Sequence, residues 1–166
     1  NRRTFFSAAH VVFNDEDFSW NEPPKWYGQM HAIKLDRSKL IRSRGYFRWT
    51  NYAEIAEEQQ SIRNAAFGKD FIVGFAFTDL IDGSPANINL SGAADLKKSV
   101  RSMMTGYPAS IAYTDEPIGG YFMHRTGPSK NTYSTFSGSA LETTLISTGP
   151  GNSGGPLCDN TGNVVG

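Results

Sequence analysis

The stretch Thr148-Gly149-Pro150-Gly151-Asn152-Ser153-Gly154-Gly155-Pro156-Leu157 joins one reactive hydroxyl to a backbone rich in glycine and proline. Glycine permits positive φ and a close approach of a ligand to the backbone, whereas proline fixes φ and lacks an N–H group. Such a turn can expose the hydroxyl of Ser153 and direct the N–H groups of Gly151 and Ser153 toward one point beside it. That arrangement is what an oxyanion hole for acyl transfer requires. Taken alone, the pattern also fits a glycine-rich surface turn with an incidental serine.

A serine hydroxyl is a weak nucleophile near neutral pH, so the interpretation requires a base and a group that orients the base. The chain contains a candidate for each. His10 lies in Phe6-Ser7-Ala8-Ala9-His10-Val11-Val12, after two small residues and before an apolar pair. Asp70 lies near the start of the apolar run Lys69-Asp70-Phe71-Ile72-Val73-Gly74-Phe75. We therefore expect His10 to act as general base and Asp70 to orient it.

These three segments together resemble the chymotrypsin-like (trypsin-fold) serine proteases. Ser7-Ala8-Ala9-His10 resembles the family's T-A-A-H, Asp70 with its strand resembles D-[IV]-A-[VL]-L, and Gly151-Asn152-Ser153-Gly154-Gly155-Pro156 resembles G-[DN]-S-G-G-P. The order His, Asp, Ser is that family's order and differs from the orders of subtilisin-like and α/β-hydrolase enzymes. The resemblance implies an all-β fold of two six-stranded antiparallel Greek-key barrels, with a catalytic triad of His10, Asp70 and Ser153.

The function implied by the resemblance is that of a serine endopeptidase, which hydrolyses peptide bonds through an acyl-enzyme. The N–H groups of Gly151 and Ser153 would form the oxyanion hole. One alternative is a catalytically silent protease-fold module that binds proteins, and the presence of all three triad residues argues against it. Another is an esterase built on a nucleophile elbow. That elbow needs a helix after the serine, which Gly154-Gly155-Pro156 disfavours.

Three residues near Ser153 bear on specificity and activation. By resemblance, Ser147 and Thr148 line the base of the primary specificity pocket. Both side chains are neutral, so a buried Lys or Arg of the substrate would lack a compensating carboxylate. We therefore expect an apolar, small or acidic side chain in this pocket. Asn152 stands where many trypsins carry an aspartate that pairs with the N-terminus after zymogen cleavage, and an amide cannot form that ion pair.

Composition excludes several other classes of function. The 166 residues contain 16 Lys and Arg against 16 Asp and Glu, so the formal net charge is zero. This balance argues against a nucleic-acid partner or a polybasic membrane anchor, and no apolar run approaches the roughly 18 residues of a membrane span. His31 and His124 have no partners at metal-ligand spacing, so we expect no metal and no other cofactor. The expected partners are protein or peptide substrates.

Cys158 is the single cysteine, which rules out a disulfide within the chain. Its position behind the serine turn, with Leu157 and Val164 as apolar neighbours, predicts a small buried side chain rather than a second nucleophile. The bacterial members of the family are secreted or periplasmic, and the resemblance implies the same compartment here. It also implies that residues are missing from both ends of the domain.

The motifs predict three parts of the chain. Residues 1–83 form the first barrel with an insertion at 14–68, residues 84–102 connect the barrels, and residues 103–166 form the second barrel. Within the insertion, Asn51 as N-cap, Glu54 three residues later and a later Gly68 predict a helix of about four turns.

The strand pattern places the candidate residues of the first barrel. Residues 3–12 predict a strand that runs into a short turn with His10, and residues 70–80 predict a strand headed by Asp70. Asp79 and Asp82 are rival candidates for the third catalytic group. They follow the second of these strands and fall in its turn, so Asp70 is favoured.

The second barrel resembles particular bacterial branches of the family. Met103-Met104-Thr105-Gly106-Tyr107-Pro108 resembles the V-x-G-Y-P strand end of glutamyl endopeptidases. Thr161-Gly162-Asn163-Val164-Val165-Gly166 resembles the hairpin after the serine in Deg-type proteases. Between them, Gly127-Pro128-Ser129 predicts a hairpin turn that joins strands at 121–125 and 132–137.

Overall fold

The computed structural model describes residues 1–14, 16–27, 37–57, 63–98, 101–109, 122–130, 132–136, 140–146 and 148–166. The strands, numbered in chain order, are β1 (Thr4–Ser7), β2 (Phe13–Asn14), β3 (Ser19–Trp20), β4 (Lys25–Tyr27), β5 (Leu40–Arg48), β6 (Ile72–Ala76), β7 (Arg101–Gly106), β8 (His124–Lys130), β9 (Ser134–Thr135), β10 (Leu141–Glu142) and β11 (Leu157–Asp159). The α-helices are α1 (Tyr52–Glu57), α2 (Arg63–Phe67) and α3 (Gly92–Leu96), and short 3₁₀ helices span Ala9–Val11 and Arg37–Lys39.

Contacts divide the chain into two compact units. The first consists of the described residues of Asn1–Gln29, Asp36–Pro85 and Phe136–Ala140. The second consists of the described residues of Ala86–Thr135 and Leu141–Gly166. The boundaries predicted from the motifs, 1–83, 84–102 and 103–166, stay a prediction.

The first unit is built on a four-stranded antiparallel sheet in the order β1-β6-β5-β4. One face of this sheet is the core, because the alternating residues Ile72 and Ala76 of β6 are buried while Phe75 is exposed. The ring of Phe5 covers Gly74, where an added Cβ would lie 2.0 Å from the ring. Full burial of a side chain such as Ile72 contributes about 1.5–3 kcal/mol, so this face anchors both β1 and β6.

The predicted insertion at 14–68 contains strands as well as helices. Strands β4 and β5 belong to the main sheet, and β5 pairs with β6 along most of its length. Among the described residues of this range, α-helix is confined to α1 and α2. These two helices lie at the two ends of the predicted four-turn helix, and residues 58–62 between them lie outside the described residues.

The second unit contains a three-stranded antiparallel sheet in the order β11-β7-β8 and the short pair β9-β10. Residues before β7 also join this unit through backbone bridges. Asn89 donates its N–H to the carbonyl of Val164 at 2.9 Å, and Val164 donates to the carbonyl of Asn87 at 2.8 Å. The segment predicted as a connector is thereby bonded to the chain that follows the serine turn.

The predicted hairpin turn at Gly127-Pro128-Ser129 is wrong. Strand β8 runs through these residues and pairs with β7 on both sides of them, from Arg101 opposite Lys130 to Gly106 opposite His124. The register shifts there, and Gly127 has a φ of 86°. Gly-Pro is a turn signal, but a bulge in a strand tolerates the same two residues because it needs positive φ and leaves one N–H unpaired.

The regular structure is therefore mostly antiparallel strand with short helices, as the predicted all-β class requires. Within the described residues the strands form curled sheets rather than closed six-stranded barrels. None of the helices that the structure describes has both the length and the apolar character needed to cross a bilayer.

Candidate active site

The pairing of β1 with β6 brings His10 and Asp70 together. Ser7, the last residue of β1, lies opposite Ile72, the first residue of β6. In an antiparallel pair, the chain that leaves one strand meets the chain that enters the other. His10 follows Ser7 in a 3₁₀ turn and Asp70 precedes Ile72, so the two side chains meet at the same end of the pair.

Two hydrogen bonds join His10 to Asp70. The ring atom Nδ1 lies 2.6 Å from Oδ2 of the carboxyl group. The backbone N–H of His10 donates to Oδ1 at 2.9 Å. Because a carboxylate only accepts hydrogen bonds, Nδ1 carries the proton, and in the neutral ring Nε2 is then the nitrogen that can take one up. The carboxyl group thus fixes both the orientation and the tautomer of the imidazole.

Asp70 is held in its ionised form despite its burial. Burial raises the pKa of the carboxyl group, but the hydrogen bonds from the His10 ring and backbone and the charge of His10 outweigh this effect, and the net shift lowers the pKa of Asp70. The side chain of Asp70 is 12% exposed, whereas that of His10 is 40% exposed. The orienting group is therefore shielded from solvent while the imidazole remains accessible.

A buried cluster holds this pair in place. Ala9, beside the histidine, is fully buried and packs in one core with Val12, Phe13, Tyr52 and Ile72. The small residues before His10 thus let the 3₁₀ turn lie directly on the core.

The rival carboxylate Asp79 is engaged elsewhere. Its side chain accepts a hydrogen bond from Nε of Arg3 at 2.7 Å and lies 3.8 Å from a guanidinium nitrogen of Arg2. The carboxyl group bonded to His10 is that of Asp70.

Ser153 lies in the second unit, on an exposed turn that is bonded at both ends to one segment of chain. Thr105 donates its N–H to the carbonyl of Pro156 at 3.3 Å, and Ala109 donates to the carbonyl of Pro150 at 2.7 Å. Residues 105–109 therefore form a platform beneath the turn. The side chain of Ser153 is exposed above it.

Glycines let this turn lie close to the platform. A Cβ added to Gly151 would lie 2.6 Å from the carbonyl oxygen of Tyr107, and one added to Gly155 would lie 2.5 Å from that of Thr105. Gly151 also has a φ of 94°, a region that other residues rarely adopt. The glycines of the motif are thus required by close backbone contact as well as by turn conformation.

Two N–H groups of the turn are available to a ligand. Within the part of the chain that the structure describes, neither Gly151 nor Ser153 donates its backbone N–H to a carbonyl group. Both residues are exposed. They are the donors predicted for the oxyanion hole.

Asn152, between these two donors, is buried, with 5% of its surface exposed. Its Nδ2 donates to Oγ1 of Thr148 at 3.0 Å. Thr148 is itself exposed and was predicted to line the specificity pocket, whereas Ser147, the other residue predicted there, lies outside the described residues. Sequence reasoning missed the structural role of Asn152 because Gly106, against which its carboxamide packs, lies on the distant strand β7.

Cys158 lies in β11 opposite Met103 and is partly buried. Burial raises the pKa of its thiol, and the neighbouring Asp159 carboxylate raises it further. A protonated thiol is a poor nucleophile, so Ser153 is the stronger candidate in this unit. The described residues contain no group of three or more His, Cys, Asp or Glu side chains placed to hold a metal ion.

Comparison with known proteins identifies the structural class. No protein-family model matches the chain, and no curated protein matches it in sequence. A solved structure described as a Glu endopeptidase in complex with MPD is similar to it, with a TM-score of 0.59 and 16% sequence identity. The match covers 98% of this chain and 67% of that chain. At this identity the likeness shows the fold, which is the predicted trypsin-like all-β fold.

Proposed function

We propose that this chain is a serine endopeptidase of the trypsin-like class, with Ser153 as nucleophile, His10 as general base and Asp70 as the group that orients His10. The observation that carries the proposal is the short hydrogen bond of 2.6 Å between the exposed His10 ring and the partly buried Asp70 carboxyl group. A histidine held in this way can act as general base toward a hydroxyl group. In the proposal this hydroxyl is that of Ser153, and among the described residues no carbonyl group accepts the backbone N–H of Ser153 or Gly151.

The reaction would proceed in two halves. His10 takes the proton of the Ser153 hydroxyl as the oxygen attacks a peptide carbonyl, and it then gives that proton to the leaving amine. Asp70 stabilises the imidazolium formed in between. The N–H groups of Gly151 and Ser153 stabilise the oxyanion, which contributes about 3 kcal/mol per donor. Water then attacks the acyl-enzyme by the same route and releases the acid.

We infer a preference for an acidic, small or apolar side chain at the cleaved bond. The neutral hydroxyl of Thr148, and that of Ser147 as predicted from the sequence, offer no carboxylate for a buried Lys or Arg. The similar solved structure is that of a Glu endopeptidase, which makes a glutamyl substrate the first to test. Of the two bacterial branches that the sequence resembles, we therefore favour the glutamyl endopeptidases. We also propose protein or peptide substrates outside the cytoplasm.

The experiment is the intact mass of the folded protein after treatment with a fluorophosphonate probe. A single adduct is expected, since the phosphonyl group forms a bond to an activated serine oxygen and releases fluoride. Ser153→Ala should abolish the adduct. Heat denaturation before labelling should also abolish it, because activation requires the folded site.

Ser84→Ala is the matched control. Ser84 is an exposed serine outside the three motifs, and its replacement should leave the adduct unchanged. If the folded protein gives no adduct, or if Ser153→Ala still gives one, the proposal fails. The first of these results would favour the protein-binding module instead.

A further inference from the structure

Asn152 is a buried polar residue between two exposed neighbours in the serine turn. Polar groups that are buried in folded proteins are normally hydrogen-bonded at each atom. Here Nδ2 is bonded to Thr148, whereas Oδ1 is buried with no hydrogen-bond partner among the described residues. Hydrogen bonding alone therefore does not explain why the Asn152 side chain is buried.

The Asn152 carboxamide also packs closely against Gly106. An ideal Cβ built on Gly106 would lie 2.2 Å from Oδ1 and 3.0 Å from Cγ of Asn152. The carboxamide thus fills the space that any other residue at position 106 would occupy. Gly106 ends β7, between the two backbone bonds that tie the serine turn to the 105–109 platform.

The backbone of Asn152 also makes two hydrogen bonds within the turn. Its N–H donates to the carbonyl of Gly149 at 3.2 Å, and its carbonyl accepts from Gly155 at 2.8 Å. The N–H of Ser153 belongs to the peptide unit that follows Asn152, so its direction is set by ψ of Asn152. The bond from Gly155 to the Asn152 carbonyl orients this peptide unit, and the side chain seated against Gly106 holds the Cα about which the unit would rotate.

We propose that Asn152 is a positioning residue, whose carboxamide is seated on Gly106 and bonded to Thr148 so that the N–H groups of Gly151 and Ser153 point to a common site. Asn152 is held by close packing against Gly106 and by one neutral hydrogen bond to Thr148. It needs no ion pair with a terminal ammonium group. The inference rests on the proposed function, because its purpose is to assemble the oxyanion hole.

The test is a set of three variants, Asn152→Ala, Gly106→Ala and the double variant. Asn152→Ala should slow the reaction with the fluorophosphonate and lower kcat by about 10²-fold, as for loss of one oxyanion donor, with KM nearly unchanged. Gly106→Ala should lower the denaturation midpoint and the rate together, because its Cβ and the carboxamide cannot share one space.

The double variant separates positioning from packing. Without the carboxamide, the nearest atom to the new Cβ is Cα of Asn152 at 3.3 Å, so the denaturation midpoint should recover relative to Gly106→Ala. The rate should stay low because the side chain that directs the turn is absent. Recovery of the rate together with the midpoint would overturn the proposal, since the carboxamide would then only fill space. So would a wild-type rate in Asn152→Ala.

A second readout does not depend on activity. The ¹H–¹⁵N residual dipolar couplings of Gly151 and Ser153, which report the direction of each N–H bond, should change in Asn152→Ala, while that of His10 in the other unit should not. If the wild-type protein reacts with no probe, the proposed function fails, and these couplings still decide whether Asn152 directs the turn. Unchanged couplings at both residues would refute the inference.

Discussion

The candidate catalytic residues of the two units are held by different kinds of interaction. In the first unit, His10 and Asp70 are placed by strand pairing and joined by a side-chain hydrogen bond above a buried core. In the second unit, Ser153 is placed by backbone hydrogen bonds and by glycines that let two chain segments touch. Activity should therefore depend on the chemistry of the His10 and Asp70 side chains, whereas the serine turn should be destabilised by an added Cβ at its glycines. Kinetics and denaturation measure these two effects separately.

The largest expected effect is on the acid–base half. Asp70→Asn should lower kcat by about 10⁴-fold, because an amide at this position no longer holds His10 in the tautomer that accepts a proton at Nε2. The protein should remain folded, since Asn has the same shape. Steady-state kinetics on a peptide substrate would measure the loss. Asp79→Asn is the matched control and should retain activity, because Asp79 bonds Arg3; equal losses in both would argue against the pair.

The next effect concerns the backbone half. Gly155→Ala should lower the free energy of unfolding by about 1–3 kcal/mol, because its Cβ would lie 2.5 Å from the carbonyl oxygen of Thr105 and 2.9 Å from that of Asn152. No side-chain movement can relieve a clash with backbone. Gly83→Ala has nothing within 4 Å of its Cβ and should change little. Urea denaturation compares the two, and equal stability would show that the turn does not lie on its platform.

The smallest effect is on stability in acid. The pKa of Asp70 is lowered on folding, so its stabilising contribution is present above its ordinary pKa of 3.8 and is lost as the pH falls through the lower folded value. Wild-type protein should therefore lose stability below about pH 4, and Asp70→Asn should lose less over the same window. Denaturation midpoints between pH 2 and pH 6 would show this as a shallower slope. Parallel slopes would mean that Asp70 is not bonded to His10 in solution.

Asp159 gives a useful control for this measurement. The Thr161 hydroxyl, and then Asn163, donate hydrogen bonds that lower the pKa of Asp159 to about 2. Asp159 is half-buried, but its bonds to the hydroxyl and backbone N–H of Thr161 are exposed, and exposed interactions contribute little to stability. Asp159→Asn should therefore alter the acid slope less than Asp70→Asn does.

The parts of the site that depend on local sequence could be predicted from the sequence. Small residues before His10 predict a turn that can lie against a core, and the glycines and prolines around Ser153 predict an exposed turn. The apolar run that begins beside Asp70 predicts the strand observed as β6. These features are encoded within a few residues, so a single sequence reveals them.

The parts that depend on contacts between distant residues could not be predicted. Gly127-Pro128 has the composition of a turn, but pairing of β8 with β7 makes it a bulge inside a strand. The fit of Asn152 against Gly106 joins residues on separate elements. Its only sequence signal was the glycine in the Gly106-Tyr107-Pro108 motif, which marks a close backbone approach without identifying the neighbour. Tertiary packing determines whether such a segment forms a turn or a bulged strand.

The pairing of Ser7 with Ile72 has a consequence for how such a chain can vary over evolutionary time. Insertions in surface loops cost little free energy, since loop closure depends only weakly on length. The spacings from Ser7 to His10 and from Asp70 to Ile72 have no such freedom, because one extra residue in either would move one side chain away from the other at the end of the strand pair. Divergent homologues should therefore keep the lengths of these two short intervals, while the length of the chain between His10 and Asp70 varies. Conservation of the two intervals should then indicate homology more reliably than overall sequence identity does.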